Sequence, residues 1–113
     1  MAIYAIGDVQ GCFDELQELL SVAGIGEDDQ IIALGDVVDR GPQSPAVLAF
    51  FQTTRNAVSI MGNHERKHVR SFRGKIRPAL SQQICRRQIG EDSYENACRT
   101  FGLSNGAFSV LNP

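Results

Sequence analysis

Apolar positions fall into two alternating rhythms along the first part of the chain. Ala2–Ile6 is a short continuous apolar run closed by Gly7-Asp8, the signature of a buried strand. Phe13, Leu16, Leu19, Leu20 and Ala23 then recur at helical spacing, with Asp14, Glu15 and Glu18 between them and Gly24 as terminator. Gln30–Leu34 repeats the strand pattern and again ends in Gly-Asp. After the Gly41-Pro42 turn, Ser44 reads as a helix cap with Pro45 in the first turn, followed by the apolar Val47, Leu48, Phe50 and Phe51. Ala57–Met61 is a third strand, ending in Gly62-Asn63. Continuous apolar strands alternating with helices predict a parallel βαβαβ sheet with right-handed crossovers.

Beyond His64 the pattern changes. A basic stretch predicts a helix within residues 65–78, interrupted by Gly74 and Pro78; residues 79–100 read as helical with a break near Gly90. Residues 101–113 carry loop signals and room for one short strand. The organisation expected is one partial domain over 1–113, with a motif-bearing core at 1–68 and a basic, helical, cap-like segment at 69–113.

At 113 residues the chain is at most one domain, and its 42% hydrophobic and 21% charged residues are ordinary globular values. No apolar run reaches the ~20 residues that span a bilayer. The opening run lacks a leading basic segment, so it reads as a strand and not as a signal peptide. Cys12, Cys85 and Cys98 are odd in number and unpatterned in spacing. They point to reduced, partly buried thiols and a cytoplasmic protein without membrane partners.

The net charge of -2 hides a division: ten acidic and two basic side chains precede residue 66, whereas nine basic and three acidic ones follow. That is either a solvated helix face or a basic wall beside an acidic metal site. Arg66, Lys67, Arg70, Arg73, Lys75 and Arg77 lack interleaved aromatics, with Phe72 standing alone, which disfavours nucleic acid as a partner.

Each strand ends in glycine followed by a metal-binding type of side chain: Gly7-Asp8-Val9-Gln10-Gly11, Gly35-Asp36-Val37-Val38-Asp39-Arg40-Gly41 and Gly62-Asn63-His64-Glu65. Asp8 and Asp36 lie 28 positions apart and Asp36 and Asn63 27, one crossover each. A parallel sheet delivers such clusters to one edge, at the carboxyl ends of its strands. Any one cluster could be a helix cap; Asp39-Arg40 alone could be a surface ion pair. Together they suit divalent ions, with carboxylate, amide and imidazole donors favouring Mn²⁺, and Fe or Zn²⁺ as alternatives. His68, a helical turn beyond His64, reads as a solvated helix residue.

These three motifs resemble those of the calcineurin-like metallophosphoesterase superfamily, in the branch of protein Ser/Thr phosphatases and symmetrical diadenosine tetraphosphatases. The resemblance covers residues 1–68, and the opening IGDVQGCFDEL is most similar to the tetraphosphatase side. It implies the amino-terminal, parallel βαβαβ half of an α/β sandwich, followed by a basic helical segment. It implies two divalent ions, with Asp8 and Gln10 on the first, Asp36 bridging and Asn63 on the second. Arg40, Asn63 and His64 would hold the phosphate, His64 would protonate the leaving group, and Asp39 would orient His64.

Two departures stand beside it. The family's usual histidine at position 10 is Gln10, which is either a weak ligand or a solvated loop residue, and His64 and His68 are the only histidines. The implied substrates are phosphorylated small molecules, dinucleotides or phosphoproteins. The competing reading is a truncated or degenerate, non-catalytic domain that binds metal or phosphate. On the enzyme reading the isolated chain is expected to turn over weakly or not at all, and to self-associate through an uncovered sheet edge.

Overall fold

The computed structural model describes residues 1–103 and 107–108. Strand β1 (Ile3–Ile6) leads into α1 (Phe13–Val22), β2 (Gln30–Ala33), α2 (Ser44–Thr53) and β3 (Ala57–Ile60). Three helices follow, α3 (Asn63–Phe72), α4 (Leu80–Ile89) and α5 (Glu91–Leu103), and then the two-residue strand β4 (Ala107–Phe108). The sheet order is β1-β2-β3-β4. The first three strands are parallel, with Ile6 beside Ala33 and Ala33 beside Ser59. The predicted βαβαβ unit is therefore present, and β4 adds to its far edge antiparallel to β3.

Burial follows the pleat. Ile6, Ile31, Ala33, Ala57 and Ser59 are buried on one face, where Leu16, Val47, Leu48 and Phe51 complete the core. Phe50 packs edge-on against both Phe13 and Phe51, locking α1 to α2. The opposite face presents Ile3, Leu34 and Ile60 at 66%, 54% and 43% exposure among the described residues.

Helix boundaries differ from expectation in instructive ways. Ser44 is not the cap of α2: Gln43 holds that position, and the buried Ser44 hydroxyl accepts the Asp39 N–H at 3.0 Å. Helix α3 starts two residues early, at Asn63, because Glu65 Oε1 reaches back to accept the Gly62 N–H at 2.9 Å. It ends before Gly74, which takes a left-handed φ of 75°. The break at Gly90 separates α4 from α5 as expected, and the short strand expected within 101–113 is β4; residues 104–106 and 109–113 lie outside the described residues. Among the described residues no helix is long and apolar enough to cross a membrane.

Candidate functional site

The loops that leave β1 and β2 are knitted backbone to backbone. Gln10 N–H donates to Asp36 O at 3.0 Å and Gly11 N–H to Val37 O at 2.8 Å, while Gly41 N–H donates to Gln10 O at 2.8 Å. Approach is so close that a Cβ on Gly35 would sit 2.6 Å from the Gly62 backbone, and one on Gly62 would meet Asp36 Oδ1 at 2.5 Å. Glycine is required there for space. Among the described residues, non-glycine positive φ occurs at Asp8, Gln10, Asp36, Asp39 and Arg40, at 54°, 46°, 54°, 73° and 65°. Left-handed backbone costs L-residues ~1–2 kcal/mol each and persists where surrounding contacts over-determine it. All five are residues that the motifs single out.

Glu65 supplies much of that over-determination. Its carboxylate is fully buried and accepts four backbone N–H groups: Asp36 at 2.8 Å, Gly62 at 2.9 Å, Val37 at 3.1 Å and Val38 at 3.4 Å. Burial pushes its carboxyl upward, against the pull of those amides. One side chain on α3 thus pins the turn after β2 to the turn after β3. His64 N–H adds a further tie, donating to Asp36 Oδ1 at 2.8 Å.

Asp39 is the centre of a second buried set. Its Oδ2 lies 2.9 Å from His64 Nδ1 and its Oδ1 2.6 Å from His68 Nε2, whose other nitrogen is 2.6 Å from the Tyr94 hydroxyl. Burial opposes the Asp39 charge, but the bonds from His68 and His64 outweigh it and hold the carboxyl below its ordinary range. Burial and the facing Asp39 carboxylate push the Cys85 thiol up to about 12. The expectation that His68 is solvated is overturned: it is 1% exposed, because α5 covers α3 with Tyr94 and Cys98.

Asp39, His68 and Cys85 place three ligand-type atoms within 4.8 Å of one another. Ligands at ~2.0–2.1 Å from a tetrahedral ion stand a little over 3 Å apart. The 2.6 Å separation of Asp39 Oδ1 and His68 Nε2 is instead a short hydrogen bond, and Cys85 stays protonated. The cluster is therefore a hydrogen-bonded one.

The motif residues divide accordingly. Asp8, Arg40 and Asn63 are exposed, Gln10, Asp36 and His64 half-buried, and Asp39 buried. The bonds above bring the Gln10, Asp36 and His64 backbones and the Asp39–His64 side-chain pair together. The donor types fit hard divalent cations: Asp36 spends one carboxylate oxygen on the His64 N–H and keeps the other, and Asp8 offers a carboxylate and Gln10 and Asn63 amide oxygens. Glu65, His68, Tyr94 and Ser44 were not singled out as site residues from the sequence. Only Glu65 left a signal there, a carboxylate three residues after the Gly62 cap position.

A family model, calcineurin-like phosphoesterase, matches residues 1–109. A protein of Nitrosococcus oceani named symmetrical bis(5'-nucleosyl)-tetraphosphatase is 42% identical over 84 residues, 73% of this chain and 30% of that protein. One of the same name from Shewanella oneidensis is 47% identical over 79 residues, 68% of this chain and 28% of its own length. A crystal structure described as a candidate diadenosine tetraphosphatase aligns with a TM-score of 0.56 at 26% identity, over 74% of this chain and 40% of that one. The chain spans about 30% of the length of these curated relatives.

Proposed function

This chain belongs to the calcineurin-like phosphoesterase family, and on that premise we propose that it carries the metal-binding and acid–base part of a hydrolase of phosphate esters or anhydrides. Membership implies divalent metal ions. We place a pair of them, Mn²⁺ foremost, on Asp8, Gln10, Asp36 and Asn63, with Asp36 shared. When bound, such ions supply Lewis-acid polarisation of a phosphoryl oxygen and a hydroxide nucleophile at neutral pH. Arg40 offers a bidentate fork to the phosphate, beside Asn63 and His64. Asp39 accepts the Nδ1 proton of His64 and so leaves Nε2 for the leaving group. As the water oxygen bonds to phosphorus, the bond from phosphorus to the leaving oxygen breaks. That oxygen takes the Nε2 proton of a doubly protonated His64 ring, whose Nδ1–H stays bonded to Asp39; the water proton goes to solvent, and His64 regains its Nε2 proton from solvent after the product leaves.

The observation that carries this reading is the left-handed backbone at Asp8, Gln10, Asp36, Asp39 and Arg40, with the Asp36 N–H bonded to Glu65 and the Asp39 N–H to Ser44. Folding energy is spent on shaping these turns, which an ordinary set of strand ends does not require. The names of the relatives favour a dinucleoside tetraphosphate over a phosphoprotein as substrate. Free thiols at Cys12, Cys85 and Cys98 suit the cytoplasm. The uncovered sheet face supports self-association of the isolated chain.

The test is Mn²⁺ titration by calorimetry with a parallel assay on diadenosine tetraphosphate. Binding should weaken more in Asp36→Asn than in Asn63→Ala, since the shared charge serves both ions. The reverse order removes the bridging assignment, and no binding at all by the unmodified chain removes the metal site.

A further inference from the structure

We propose that His68 and Tyr94 are positioning residues for the His64–Asp39 pair: a buried line of hydrogen bonds from Tyr94 through His68 fixes the Asp39 carboxylate with Oδ2 toward His64. The inference rests on the proposed function for its consequence in turnover, but its geometry stands independently. A carboxylate rotates easily about its last torsion. His64 alone, its side chain 14% exposed, would leave the second oxygen of Asp39 free to exchange places with the first. His68 removes that freedom by taking Oδ1 at 2.6 Å inside the core.

Asp39 sets which His68 nitrogen carries the proton, and Tyr94 takes the other. An ionised carboxylate only accepts, so His68 presents Nε2–H to Asp39. With that proton placed, Nδ1 of the neutral ring accepts the Tyr94 O–H at 2.6 Å. Burial keeps that hydroxyl protonated, raising it above the ordinary phenol range. The Tyr94 ring is itself held, with the Arg86 guanidinium 4.7 Å over its face and Phe72 at its edge, while Cys98 Sγ donates to His68 O at 3.8 Å. Asp39 then keeps the proton of the neutral His64 ring on Nδ1, so Nε2 is the nitrogen that takes up the acid proton and meets substrate. Helix α5 reaches the chemistry in this way without touching it.

Imidazole ¹⁵N NMR on the 113-residue chain tests this. The unmodified protein should show His68 as Nε2–H and His64 as Nδ1–H. In His68→Leu the His64 ratio of Nδ1–H to Nε2–H should fall by about threefold or more. His68→Gln, whose amide N–H reaches the same oxygen, should restore it. Tyr94→Phe, which keeps the ring packing, should leave His68 as Nε2–H but loosen its hold on Asp39, so that the His64 ratio falls by less than in His68→Leu; it covers the case in which His68→Leu does not fold. With Mn²⁺, kcat on phenyl phosphate should drop about tenfold in Tyr94→Phe, at unchanged KM, with a much smaller drop on p-nitrophenyl phosphate, whose leaving group needs little protonation. Finding His68 as Nδ1–H in the parent overturns the proposal, as does an unmoved His64 ratio in folded His68→Leu or in Tyr94→Phe. Absence of Mn²⁺ binding by the parent overturns the proposed function instead, and the tautomers decide this inference whether or not the isolated chain hydrolyses either ester.

Discussion

Replacing Glu65 by Gln removes one charge and reverses one end of a buried side chain. Oε1 accepts from Asp36 and Gly62 at 2.8 and 2.9 Å, and a glutamine oxygen can keep both. Oε2 accepts from Val37 and Val38 at 3.1 and 3.4 Å; there the glutamine NH₂ would face two donors. Each buried donor left unsatisfied costs ~1–3 kcal/mol. Two of them, with the weaker of the four bonds discounted, amount to ~2–4 kcal/mol. A small domain has only ~5–15 kcal/mol in total, so the loss is a large fraction of its stability. Glu65→Ala should cost more, because all four amides lose their acceptor. The Asp36 turn also loses its anchor, so Mn²⁺ affinity should fall although Glu65 is not a proposed ligand. Urea unfolding of parent and both variants, followed by Mn²⁺ calorimetry on whatever folds, measures both effects. A Glu65→Gln protein within ~0.5 kcal/mol of the parent, the range of ordinary surface changes, would refute this account.

Three further outcomes are expected. Gln10→His should tighten the first Mn²⁺, because imidazole donates more strongly than an amide oxygen; an unchanged isotherm places Gln10 outside the coordination sphere. The depressed Asp39 carboxyl contributes stability that is present above the ordinary carboxylate pKa and lost as pH falls through its lower folded value. The urea midpoint of the parent should therefore drop more steeply from pH 5 toward pH 3 than that of Asp39→Asn, and parallel profiles would count against the charged hydrogen bonds. Finally, sedimentation equilibrium should show the chain self-associating through the face of Ile3, Leu34 and Ile60, and Ile3→Lys with Ile60→Lys should shift it toward monomer; a parent that stays monomeric removes that assignment.

The parallel βαβαβ order was legible because its signals are local: apolar runs, helical spacing and glycines at strand ends recur within short windows. Ser44 shows where locality fails. A serine before Pro-Ala-Val satisfies every cap rule, yet its hydroxyl accepts from Asp39, and Gln43 takes the cap position while its side chain accepts the Asp14 N–H at 3.0 Å. The tertiary bond to a strained turn wins over a local cap worth ~1 kcal/mol.

His68 carries the more general lesson. In sequence it stands inside a run of arginines and lysines, and every local measure marks its surroundings as exposed; Arg66, Lys67 and Arg70 are indeed exposed. What buries His68 is Tyr94, 26 positions later on a helix whose own pattern says nothing of His68. The same contact places the charged face of α3 outward and its polar core residues inward, so the helix has an amphipathic pattern in which Glu65 and His68 take the positions normally held by leucines. A buried acid and a buried imidazole on one helix are tolerated because each is spoken for: Glu65 by four amides, His68 by Asp39 and Tyr94. Both point their bonds at the turn from Asp36 to Arg40, where the backbone is left-handed at Asp36, Asp39 and Arg40. The polar interior of α3 is thus the counterpart of that strain: replacing it with apolar residues would ease the burial of α3 and release the turn that it holds.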